Sequence, residues 1–192
     1  TGHKMNYLFL FNILFAISVS AQGTINYEEL VQKGNIFFWK NKAFTGTAKS
    51  ADEGFSTIIP FKDGHKHGVM KAFLINNGTR HLIHSETFQQ GKRNGLYQRW
   101  YESGKLRIRL HFSKNKRHGI REEWYRNGHL KRLETFNMGK IDGPKYIYYE
   151  TGTLKEVIIY NNDQSLSAMS FSIKGLPLTE SIFRKGVEIL RY

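Results

Sequence analysis

The chain has 192 residues, 40% of them hydrophobic, with 14 Phe, 10 Tyr and 3 Trp, and a net charge of +13. That aromatic content excludes an intrinsically disordered chain, and the absence of cysteine excludes disulfides, thiolate zinc sites, a cysteine nucleophile and a lipidated N-terminal cysteine. The basic balance bears on partners and solubility rather than on fold, and would suit phospholipid surfaces, acidic polysaccharide, nucleic acid or an acidic protein.

The first predicted element is an export signal. Tyr7 to Val19 is mostly apolar but too short for a membrane span of ~20 residues. Val19-Ser20-Ala21 then offers small residues where signal peptidase reads. The expected signal is residues 1–21, with residues 1–4 ahead of Met5 as a candidate non-native leader. The mature chain would start at Gln22 and be periplasmic, outer-surface or secreted, and not a lipoprotein. Residues 22–60 read as opening strands and a first atypical repeat.

From Phe61 onward the chain repeats. Phe88, Phe112, Phe136 and Tyr160 are aromatics 24 residues apart. In register with them come Gly95, Gly119 and Gly143, then Trp100-Tyr101, Trp124-Tyr125 and Tyr148-Tyr149, then Gly104, Gly128 and Gly152. Leu106, Leu130 and Leu154 close each unit. The unit from Phe61 runs 27 residues to Phe88. Residues 61–160 are thus expected to hold four repeats. Residues 161–192, where Gly175 and Gly186 keep part of the pattern, would form a degenerate capping repeat.

Each unit reads as two strands and two turns. Leu106, Ile108, Leu110 and Phe112 alternate with Arg107, Arg109 and His111, the period of a strand with two unlike faces. Ser113 to His118 reads as a polar turn. Arg126-Asn127-Gly128 reads as the next turn, with Asn and Gly both able to take positive φ. Adjacent strand residues face opposite ways. Trp100, Trp124 and Tyr148 would therefore stack as a ladder on one face, and Tyr101, Tyr125 and Tyr149 on the other. The predicted fold class is all-β: an elongated, twisted antiparallel meander of tandem hairpins, with 12 to 14 strands.

Phe88-Gln-Gln-Gly-Lys-Arg-Asn-Gly95, Trp100-Tyr-Glu-Ser-Gly104, Trp124-Tyr-Arg-Asn-Gly128 and Tyr148-Tyr-Glu-Thr-Gly152 resemble the MORN-repeat family in its bacterial variant form. The resemblance implies an elongated antiparallel meander and a role in membrane association or protein scaffolding. Bacterial relatives are often labelled YwqK-type antitoxin components, which implies binding of a toxin.

In a meander every second turn lies on the same edge. One edge would then collect Lys66, Lys92, Arg93, Lys114, Lys116, Arg117 and Lys140, a candidate anionic docking strip; solvated turns that guard against edge-to-edge association are the alternative. No metal is expected, because His65-x-His67 occupies positions held by other residues in later units. Glu86, Glu134, Glu102 and Glu150 recur with the repeat and form no unique constellation, so no catalytic residue and no cofactor is expected. The partner would be an unknown protein or an anionic lipid surface, with nucleic acid and a small-molecule substrate both disfavoured. The function expected is that of an exported, non-enzymatic protein-binding or scaffolding module.

Overall fold

The computed structural model describes residues 22–184 and 187–191. The expected export signal, and Gly186 of the capping repeat, lie outside the described residues. The N-terminal part comprises β1 (Gln22–Asn26), a 3-10 turn at Tyr27–Glu29, and β2 (Val31–Lys33), β3 (Ile36–Trp39) and β4 (Lys42–Ala43), which form a small three-stranded sheet. The long sheet then runs β5 (Gly46–Asp52), β6 (Phe55–Lys62), β7 (His65–Lys66), β8 (Gly68–Asn76), β9 (Thr79–Gln89) and β10 (Lys92–Trp100). It continues through β11 (Leu106–Ser113), β12 (Lys116–Arg117), β13 (Gly119–Trp124), β14 (Leu130–Asn137), β15 (Lys140–Tyr148) and β16 (Leu154–Asn161). It ends with β17 (Gln164–Phe171), β18 (Pro177–Arg184) and β19 (Val187–Arg191).

From β5 onward every pairing is antiparallel and every neighbour follows in sequence, so this part is the meander the repeats predict. One departure lies at its start. β1 pairs parallel with β5 rather than opening the meander. The chain leaves β1, builds the small sheet, and returns beside it. This places the small sheet over one face of β5 and β6. There Phe44, Ala48, Ile59 and Phe61 are buried, with Ile25, Tyr27, Leu30, Phe37, Trp39 and Met70 packed around them. Gly64 joins the two layers. Its carbonyl accepts from Phe37 N–H and its N–H donates to the Phe44 carbonyl, each at 2.8 Å.

After the β8–β9 hairpin, whose Asn77-Gly78 turn also has positive φ at both positions, the two edges of the long sheet carry different turns. On one edge, Gln90-Gly91, Lys114-Asn115, Met138-Gly139 and Asn162-Asp163 form two-residue turns with positive φ at both positions. These are the type I′ hairpins, so the expected longer turn over Ser113–His118 closes within Lys114-Asn115. On the other edge Tyr101, Tyr125 and Tyr149 start four-residue loops. Gly104 N–H donates to Tyr101 O, and Tyr101 N–H to Lys105 O, each at 2.9 Å, with the same pattern at Tyr125 and Tyr149. In these loops only the glycine has positive φ: Gly128 lies at 99°, while Asn127 is not in that region. Asn127-Gly128 is therefore a type I turn with a glycine bulge, not the expected type I′ turn. Asn127 instead uses its side chain, accepting from His129 N–H and donating to Glu150 O.

The aromatic ladder is corrected as well. Trp100, Trp124 and Tyr148 end β10, β13 and β15, two strand steps apart, or about 9–10 Å. Rings at that distance do not stack, and among the described residues no ring pair joins them. Each turn tyrosine instead reaches its neighbour by hydrogen bonding. Tyr101 Oη donates to the Trp124 carbonyl at 2.7 Å, Tyr125 Oη to Tyr148 O at 2.9 Å and Tyr149 Oη to Phe171 O at 2.9 Å. A cation six residues on lies over each ring: Arg107, Lys131 and Lys155. On the opposite edge the second turn residue donates its N–H to a carbonyl of the preceding unit. Gly91 donates to Lys66 O, Asn115 to Arg93 O, Gly139 to Arg117 O and Asp163 to Ile141 O. Both edges are thus fastened unit to unit.

Between the fasteners, one face carries the buried residues. Cross-strand partners share a face, and Glu86, Tyr97 and Leu110 form one such row, as do Arg121, Glu134 and Lys145. The position two residues before the repeat aromatic is Glu86, Leu110, Glu134 and Ile158 in successive units. Glu86 and Glu134 are each 3% exposed there. Both recur as expected, but as buried charges. Glu134 is met by Arg121 at 2.8 Å, Lys145 at 3.5 Å and Arg132 at 3.6 Å. Glu123 is met by Arg121 at 2.6 Å and Lys131 at 3.3 Å. Burial pushes the Glu123 carboxyl up, but the hydrogen bonds and charges of Arg121 and Lys131 outweigh it and hold the group below its ordinary range. At Glu86 burial wins over Arg93 and Lys66, and the carboxyl is raised.

The tyrosine fastener is tested by Tyr125→Phe, which deletes one hydroxyl. It is expected to lower stability by about 1 kcal/mol, whereas Lys116→Ala, on an exposed turn, should change it by less than ~0.5 kcal/mol. Denaturant melts of both variants check this; equal midpoints would remove the fastener's role. The two glutamates should respond to substitution with opposite sign. A carboxyl lowered in the fold stabilises above its unfolded pKa and loses that contribution as pH falls through the lower folded value. Glu123→Gln should therefore destabilise at pH 7, by about 1–2 kcal/mol, and the loss should fade in acid. A carboxyl raised in the fold costs stability once ionised, so Glu86→Gln should be neutral or stabilising at pH 7. Thermal melts from pH 3 to pH 7 read both.

Candidate functional site

The type I′ edge gathers the predicted basic residues, and the pairing register splits them into two sets. Lys66, Arg93 and Arg117 lie across from Phe61, Phe88 and Phe112. They share the buried face with those aromatics, and each extends over the ring of the next unit. Lys66 Nζ lies 5.5 Å from the Phe88 centroid, Arg93 Cζ 5.3 Å from Phe112, and Arg117 Cζ 4.4 Å from Phe136. Such contacts stabilise by ~0.5–1 kcal/mol at exposed sites. Arg93 is further engaged by Glu86, 2.5 Å from its Nε. All three lie over aromatic rings, Lys66 half-buried and Arg93 and Arg117 exposed along their outer side.

The second set is Lys92, Lys116 and Lys140, which lie across from Gln89, Ser113 and Asn137. All three are exposed. They repeat every second strand, so they form a column with a spacing of about 9–10 Å. Lys114 sits at a turn tip in the same row. None of the four side chains has a hydrogen bond, ion pair or ring contact among the described residues. Glu86, Glu123 and Glu134 pair with cations on the buried face and Glu122 pairs with Arg109, so none of these carboxylates is paired with the column.

The sequence missed two features of this edge. Met138, 44% exposed, occupies the turn position that is Asp63, Gln90 or Lys114 in other units, so an apolar side chain stands between Lys116 and Lys140. The second feature is concavity. The small sheet stops short of the edge and leaves hollows around Gln90 and Lys92, the largest about 540 Å³. No signal in a repeat pattern marks that junction, because the small sheet is not part of the repeat. His65 and His67, for which the repeat pattern offers no reading as metal ligands, both line the second of these hollows. Among the described residues no group of three or more His, Cys, Asp or Glu is arranged to hold a metal ion.

The chain was compared with known proteins. No curated protein matches it. Among solved structures, the crystal structure of TarM is similar over 62% of this chain and 20% of that chain, at 13% identity and a TM-score of 0.33; the chain thus spans about a fifth of that protein's length, and a likeness this slight carries no argument about fold or role. The family model described as MORN repeat variant matches residues 93–114, 117–138 and 141–162. Each match begins just after a type I′ turn, at the residue beside the exposed lysine, and ends on the first residue of the next such turn. The matched unit is therefore one hairpin with its tyrosine loop, and residues 93–162 are three tandem MORN repeats of the variant type.

Proposed function

We propose that the chain is an exported, non-enzymatic binding module that docks an acidic protein partner on its type I′ edge. The observation that carries this reading is the column of Lys92, Lys116 and Lys140, unpaired and evenly spaced with Lys114 in its row, while Lys66, Arg93 and Arg117 lie over aromatic rings. Met138 within the column favours a protein surface, since a cationic patch around one exposed apolar side chain fits an acidic partner that offers an apolar contact. Export is read from Tyr7–Val19 and Val19-Ser20-Ala21, and suits a module that works outside the cytoplasm.

Because the chain has no cysteine, single cysteines carrying a photo-crosslinker report position cleanly. Lys116→Cys and Lys140→Cys are expected to give a discrete protein adduct in the native host, while Glu102→Cys and Glu150→Cys on the opposite edge give none. Adducts of equal yield from both edges would overturn the reading. Charge reversal of Lys92, Lys116 and Lys140 together should weaken the captured complex at least ~10-fold, mostly in association rate and more at low salt. Salt-sensitive sedimentation with anionic vesicles, lost in that triple variant and without any protein adduct, would move the assignment to a membrane surface. N-terminal sequencing of the mature protein should begin at Gln22.

A further inference from the structure

The hollows beside the small sheet form a second feature, distinct from the lysine column as a whole. The largest, about 540 Å³, lies between Tyr27, Gln32, Asn35 and Phe37 on one side and His65, Lys66, Phe88 and Lys92 on the other. A second of about 500 Å³ adds Lys62, Asp63 and His67, and a third of about 240 Å³ adds Gln89, Asn94 and Lys114. Gln90 and Lys92 border all three. With that shared rim the three adjoin as a segmented trough at the sheet edge, each of the two larger parts within the ~300–1,000 Å³ typical of ligand sites.

Lysines line every part of it. Lys62, Lys66, Lys92 and Lys114 face a single carboxylate, Asp63, whose N–H is held by Thr45 Oγ1. Amides recur beside them: Gln32, Asn35, Gln90 and Asn115 in the first hollow, Gln89 and Asn94 in the third. Asn35 and Gln90 have no side-chain hydrogen bond among the described residues. The floor of the first hollow is aromatic, from Tyr27, Phe37 and Phe88.

We propose that this trough binds a linear acidic polysaccharide. Neutral amides, each offering both donors and an acceptor, match vicinal hydroxyls; half-buried rings match the apolar face of a sugar; lysines match its carboxylate or sulfate. The trough's open, segmented path suits a chain rather than a compact ligand. Lys66 already covers one face of Phe88, which leaves no room there for a flat base to be sandwiched. Simple acidic polymers would use the lysines and leave the amides idle.

The test is titration calorimetry of the full chain with three hexasaccharides, an oligogalacturonate, a sulfated heparin-type fragment and neutral maltohexaose, and with length-matched polyphosphate and polyglutamate. Micromolar to sub-millimolar binding of an acidic sugar is expected, with maltohexaose at least ~10-fold weaker, and the two acidic sugars tell carboxylate from sulfate. Asn35→Ala and Lys92→Gln should each weaken binding by ~5-fold or more, while Lys140→Gln, in the column but remote from the trough, leaves it unchanged. Gln90→Asn keeps a residue that tolerates the turn's positive φ and should weaken binding without altering the melt. No binding of either acidic sugar at millimolar concentration, or equal binding of polyphosphate or polyglutamate, overturns the proposal. Absence of sugar binding by the unaltered chain, with the crosslinked protein adduct intact, would sink this inference alone.

Discussion

The structure depends on hydrogen bonds that skip a strand. A meander of hairpins has ladder bonds between adjacent strands, but for most of its length this sheet has no second layer to press those hairpins together. The missing constraint is supplied at the two edges. The tyrosine hydroxyl of one loop donates to the backbone at the base of the next, and the second N–H of each type I′ turn donates to the unit before. Each bond adds only ~1 kcal/mol, yet they recur in the three units from Phe88 onward and fix how one hairpin sits on its neighbour. The aromatics that define the repeat serve this purpose: Trp or Tyr ends the strand and offers a carbonyl, and the following Tyr spans to the next one.

Charge divides into two economies. On the buried face it takes the place of apolar packing. Glu86 and Glu134 stand where other units have Leu110 and Ile158, and the cations that meet them come from four strands. A buried ion pair is a poor source of net stability but a strict judge of register, since removing one partner strands the other. On the type I′ edge, by contrast, lysines at the same repeat offset stand free. The high basicity of the chain is therefore not one property. Much of it is internal, and the remainder is displayed along one line.

The repeat, the strand alternation and the allocation of turns to two edges were legible in the sequence, because each follows from a period. The strand over Leu106–Phe112 is an example: its side chains alternate between half-buried or buried and exposed along the whole run. What the sequence hid was set by geometry beyond the period. Asn127-Gly128 has the composition of a type I′ turn, but the loop begins two residues earlier at Tyr125, so only the glycine takes positive φ. The ring ladder failed because equivalent residues are two strands apart. Arg93 and Lys92 looked alike as edge cations, and only the pairing register separates one that covers Phe112 from one that faces water. The small sheet and its trough lie outside the periodic part, where no pattern announces them.

The fasteners join only neighbouring units, and this bears on how such a chain changes length. Duplicating or deleting a 24-residue block would move the array by one hairpin while every surviving hydroxyl and N–H finds an equivalent acceptor. A block of 23 or 25 would turn each later side chain to the wrong face. The unit from Phe61 to Phe88 shows where extra residues are absorbed: it is 27 residues long and has the register slip of the 24-residue units, between Ala72 and Phe73, but its hairpin extends further, to Asn76 paired with Thr79. Array length is thus a quantity that recombination could vary in whole units without redesigning the fold, whereas the parallel β1 and the small sheet, bound to the first unit alone, form a part that cannot be copied along with it.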